Sequence, residues 1–106
     1  MDSILAISSC EKCTNEQPRA RIENNGTNKA SVQIQTSGGN TVNSNNILTG
    51  TVSEYSSYAA GDITFTVSVD QSTAVLTVPM LECYEYDIKI DGNNDITSVP
   101  NDRNEK

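Results

Sequence analysis

The most regular alternation of apolar and polar positions in the chain lies between Gly61 and Val69. Ile63, Phe65, Val67 and Val69 share one phase, and Asp62, Thr64, Thr66 and Ser68 the other. Successive side chains of a strand point to opposite faces of a sheet, so the pattern predicts a strand with one buried face. A second such run spans Glu82 to Asp91, with Tyr84, Tyr86, Ile88 and Ile90 opposed to Cys83, Glu85, Asp87, Lys89 and Asp91. Shorter runs put Ala20 and Ile22, then Val32 and Ile34, inward. The turn-prone Asn24-Asn-Gly-Thr-Asn28 between them predicts a hairpin-like pair. Ser37 to Asn46 reads as a long loop or a weak edge strand around Val42, after which Ile47 and Leu48 enter the core. Thr51 to Tyr55 forms a strand leading into a corner at Tyr58-Ala-Ala-Gly61. Ala74, Leu76 and Val78 then alternate inward until Pro79 ends the run. The turn Asp91 to Asp95 returns the chain through Ile96 and Val99.

Short strands separated by polar turns predict an all-β domain, an antiparallel β-sandwich of about seven short strands, with a small β-barrel as the alternative. Residues 1–18 read as a leader and polar tether, 19–99 as the sandwich and 100–106 as a flexible tail. A domain of that size buries only about 60 % of its surface and supports one modest core.

Composition narrows the functions. Seven basic against fourteen acidic residues give a formal charge of −7, which repels phosphate backbones and argues against a nucleic-acid partner. The 106 residues include no histidine, so the commonest general base and metal ligand is missing and the chain reads as a non-enzyme without a cofactor. It contains no run long enough for a transmembrane segment.

The N-terminal segment holds two of the three cysteines. Its apolar run is too short, and lacks the basic start, for an intact signal peptide. Ile7-Ser-Ser-Cys10 nevertheless resembles a bacterial lipobox, in which the cysteine becomes the lipidated first residue; the alternative is a leader without function. With Cys10 as the lipid anchor, Cys13 and Cys83 remain as a matched pair for a disulfide, which places the chain in an oxidising compartment. The rival use of Cys10-Glu-Lys-Cys13 is redox or metal chemistry, for which the polar tether is a poor setting.

Ala20-Arg-Ile-Glu-Asn24, Ala30-Ser-Val-Gln-Ile34, the long centre from Thr51 to Val67 and Tyr86-Asp-Ile-Lys-Ile-Asp-Gly92 together resemble an uncharacterised family of small immunoglobulin-like sandwich modules of bacterial envelope lipoproteins. The resemblance implies an immunoglobulin-like fold and a place outside the cytoplasm, in the cell envelope or secreted, and it supplies no functional residues. This chain departs from the family in having no glycine in the connection before Tyr84.

Other constellations point more weakly to chemistry. Asp91, Asn93 and Asp95, with Asp87 nearby, crowd oxygens around one turn as calcium requires, but the order does not match the EF-hand loop. Asn25-Gly-Thr27 matches a glycosylation sequon and equally a turn. Tyr55, Tyr58, Tyr84 and Tyr86 would stack on sugar rings if exposed, although the phase of Tyr84 and Tyr86 favours the core. The resulting expectation is a monomeric, non-enzymatic binding or adhesion module for a protein or glycan ligand. The alternatives are a redox or metal-handling protein using Cys10 and Cys13, and a carbohydrate-binding module.

Overall fold

A computed structural model describes residues 13–103. Within them the chain is all-β: β1 (Arg19–Asn24), β2 (Ala30–Gln35), β3 (Thr41–Ile47), β4 (Thr51–Val52), β5 (Ser56–Ser57), β6 (Gly61–Val69), β7 (Ser72–Met80), β8 (Tyr84–Ile90) and β9 (Ile96–Asp102). One sheet runs β4-β1-β8-β9, with β5 also pairing β1, and the other runs β3-β2-β6-β7. The sheets do not close on each other, so the fold is an open sandwich and not a barrel. It is immunoglobulin-like in its two-layer architecture, and its ladders are antiparallel except for β1–β8.

The alternation sets which faces meet. Ile63, Phe65, Val67 and Val69 of β6 are all buried, and Phe65 is 0 % exposed. They pack with Val32 and Ile34 of β2 against Ala20 and Ile22 of β1 and Tyr86, Ile88 and Ile90 of β8. Gly61 opens β6 at φ +127°, where a Cβ would stand 2.8 Å from the Ser37 Cβ, so the corner requires glycine.

Several local readings are corrected by the sheet partners. The turn after β1 does not make a hairpin: β1 and β2 belong to opposite sheets, and β1 pairs with β8 in the one parallel ladder, Arg19↔Glu85 to Asn24↔Ile90. Of the two readings of Ser37 to Asn46, the edge strand holds: Thr41–Ile47 form β3, antiparallel to β2. Ile47 is buried but Leu48 is 59 % exposed, because the chain turns at the sandwich end. The strand expected over Thr51 to Tyr55 pairs only at Thr51 and Val52. Pro79 does not end β7, which continues to the buried Met80, and β9 runs through Pro100 to Asp102. Both are edge strands, where a missing N–H need not break a ladder.

Candidate functional site

Cys13 and Cys83 form a disulfide, with Cα atoms 5.7 Å apart. The Cys83 N–H donates to Glu16 O at 2.9 Å, and its carbonyl accepts the Arg103 N–H at 3.0 Å. Cys83 has φ +64°, so at the point where a glycine is absent from the β7–β8 connection the disulfide cysteine itself takes the left-handed conformation. It lies outside the main apolar cluster, and its burial comes from the tether that crosses it. Cys13 is therefore committed to Cys83, and Cys10 lies outside the described residues, as does the lipobox-like Ile7–Cys10.

Of the calcium candidates, Asp91 is engaged by its own turn. Asp91 Oδ1 accepts the N–H groups of Asn93 (2.9 Å) and Asp95 (3.1 Å), turning its carboxylate back onto its own loop. Asp87 accepts from Arg21 Nε at 2.7 Å and from the Tyr55 hydroxyl at 3.2 Å. Among the described residues no cluster of Cys, Asp and Glu side chains is arranged to hold a metal.

The four tyrosines are dispersed. Tyr86 is in the core, its hydroxyl accepting the Leu81 N–H at 2.8 Å, and Tyr84 stacks beside it with ring centroids 6.0 Å apart. Tyr55 lies outside the sandwich under the guanidiniums of Arg19 and Arg21, 5.0 and 4.7 Å from its ring centre. These arginines continue into ion pairs across the parallel ladder, Arg19 with Glu85 and Arg21 with Asp87, and Arg103 links Glu85 to Glu16. The Asp87 hydrogen bond raises the Arg21 pKa, although desolvation opposes it. Burial, reinforced by Asp87, raises that of Tyr55.

Tyr58 faces a cleft on the β3 side, and the path of the chain explains why the cleft exists. After β4 the chain leaves the sheet: the Ser53 N–H still donates to Ile22 O (2.8 Å), but the Ile22 N–H is satisfied by the Ser53 hydroxyl (2.9 Å). Tyr55 swings outward to the arginines, and pairing resumes only at Ser56 and Ser57. The edge of this sheet is thus too broken to cover the interior facing β3. A cleft of about 340 Å³ remains, floored by Ala20, Ile22, Ile34 and Phe65 and rimmed by Val42, Asn43, Ser44, Ser53, Glu54, Ser56 and Tyr58. It runs into a trough of about 440 Å³ that shares Val42, Ser56 and Tyr58 and adds Gln17, Thr36 and Asn40. An apolar floor with a few polar groups at the rim is the usual make-up of a ligand site, and this volume is at the small end of the range. Burial raises the Tyr58 pKa, partly offset by a hydrogen bond with Ser56.

Of the residues on the cleft rim, sequence reasoning had named only Tyr58 as a binding candidate, among the tyrosines that would stack on sugar rings if exposed. The signal that was available is the Thr51–Ser57 segment, whose alternation fails after Val52. On the opposite side, between β7 and β9, an apolar groove of about 380 Å³ is lined by Leu76, Pro79, Leu81, Tyr84 and Pro100.

Fold and cleft together define an open, disulfide-pinned β-sandwich. Compared with protein-family models, curated proteins and solved structures, the chain matches none of them. Among the described residues no helix is long and apolar enough to cross a membrane.

Proposed function

We propose that the chain is a non-enzymatic binding or adhesion module that works outside the cytoplasm, anchored through a lipid on Cys10 in the manner of the envelope lipoproteins it resembles, with its ligand in the cleft beside β3. The observation that carries the binding role is the cleft itself, a concavity between the sheets that reaches down to buried core side chains under a rim of amide, hydroxyl and carboxylate groups. The Cys13–Cys83 disulfide supports the location, since such bonds persist in oxidising compartments.

Titrating the isotope-labelled chain with soluble glycans and with peptides, read by amide chemical shifts, tests the binding role. Shifts should gather at Val42, Ser44, Ser56 and Tyr58; a ligand that shifts only the β7–β9 groove removes the cleft from the proposal. Feeding a fatty-acid analogue to a bacterial host that expresses the gene tests the anchor. Label should enter the wild type and be lost in Cys10→Ala, and equal label in both would exclude Cys10.

A further inference from the structure

We propose that the occupant of this cleft is an extended polypeptide strand, neutral or basic, that adds to the free edge of β3; this rests on reading the cleft as the ligand site. The Thr36 N–H donates to Asn40 O at 2.8 Å. Hydrogen-bonded pairs alternate along an antiparallel ladder, so Ile34↔Val42 and Val32↔Ser44 are the next bonded pairs. The backbone N–H and C=O groups of Thr41 and Asn43 then face away from β2. Among the described residues no strand pairs with that side of β3.

Folded proteins guard such edges with proline, charge, shortness or a bulge. Here β7 carries Pro79, β9 carries Pro100, and β4 and β5 have two residues each. Strand β3 has seven residues with no proline and no charge, and its bulge, with Asn46 at φ +61°, lies beyond Ser44. The stretch Thr41–Ser44 is a regular template.

The template also lies beside the cleft. Val42 and Ser44 share the inward face with Ile34 and Val32, so a strand laid about 4.8 Å beyond β3 would send every second side chain over the floor made by Ile22 and Phe65. Backbone pairing then supplies affinity, and the cleft selects apolar side chains at alternate positions. Charge chooses among strands. Glu54 is the acidic residue on the cleft rim and the chain carries −7, so an acidic strand or a second copy of this chain is repelled.

The test screens the disulfide-intact chain against a display library of random heptapeptides. Enriched peptides should alternate apolar residues with a period of two and avoid Asp and Glu, and a synthetic copy should slow hydrogen exchange at Thr41 and Asn43. N-methylation of that copy at alternate amides should weaken binding about tenfold in one phase and little in the other, as expected for lost backbone hydrogen bonds. Asn43→Pro should weaken it similarly while keeping the melting temperature, because the Asn43 N–H points outward; should that variant unfold, the methylated peptides still decide. No enrichment, binding indifferent to methylation, or self-association through β3 would overturn the proposal. A ligand that shifts cleft resonances without protecting Thr41 and Asn43 overturns strand addition and leaves the cleft as the ligand site. If neither the peptides nor the glycans shift cleft resonances, both readings fall.

Discussion

Asn24, the last residue of β1, has no exposed surface and bonds in three directions. Its Nδ2 donates to Ile47 O at 2.8 Å and Asn28 O at 2.9 Å, and its Oδ1 accepts the Gly26 N–H at 2.8 Å. One side chain thus joins the end of β3 to the turn after β1. Gly26 fits beneath it because a Cβ there would stand 2.5 Å from Asn94 Oδ1. Asn24→Ala takes a donor from the buried Ile47 carbonyl and leaves the buried Gly26 N–H without its acceptor, at about 1–3 kcal/mol for a group left without a partner. We expect a loss of about 3 kcal/mol in urea unfolding; a loss within experimental error would mean that water replaces the amide. Phe65→Ala should cost about 3–5 kcal/mol in the same measurement, because Phe65 is fully buried in the core between the two sheets. Thr64, on the outer face of the same strand, shares a hydrogen bond with Thr77 at 2.9 Å. Thr64→Ser keeps the hydroxyl and should change stability by less than about 0.5 kcal/mol.

At the scale of elements, the parallel β1–β8 pair joins segments more than sixty residues apart, and its outer face aligns Arg19, Arg21 and Glu23 with Glu85, Asp87 and Lys89. Opposite charges directly across a ladder favour this register over a slip by one residue, which would also turn Ile22 and Ile88 outward. Tyr55 is built into this face and Tyr58 into the cleft. In both, burial pushes the phenol above its ordinary value because the phenolate is costly away from water. A pKa raised by folding gives stability that is complete below the unfolded value of about 10 and is lost as pH rises through the folded value. The urea midpoint should therefore fall above about pH 10, and the fall should be shallower in a Tyr55→Phe, Tyr58→Phe double variant. An identical alkaline slope in the variant would show that other groups control it.

For the whole molecule, the disulfide closes a separation of 70 residues and fixes the tether across the β7–β8 corner. By constraining the unfolded chain such a bond is typically worth about 2–4 kcal/mol. Cys13→Ser should therefore lower the melting temperature by at least about 8 °C in a domain of this size, whereas Cys10→Ser should leave it unchanged. Alkylation of non-lipidated protein without reductant, followed by digestion, should label Cys10 alone; label on Cys13 and Cys83 as well would mean that the bond is absent in solution.

What the sequence by itself determined is the face each residue of a strong strand presents. The alternation of Ile63, Phe65, Val67 and Val69, and of Tyr86, Ile88 and Ile90, predicts burial that the structure shows, because a period of two is a local property of extended backbone. The pairing of Cys13 with Cys83 was also legible, since three cysteines with one assigned to an anchor leave a single pair. Tertiary structure alone decided which strands are neighbours. The phase of Ala20 and Ile22 is the same whether β1 pairs with β2 or with β8, and only the packing of two sheets places it beside β8. Pro79 and Pro100 read locally as strand ends, yet both strands continue, because a proline on an edge disrupts no ladder. The cleft belongs to this second class: it exists because Tyr55 leaves its sheet for Arg19 and Arg21, a preference created only when distant carboxylates on β8 hold those arginines in place.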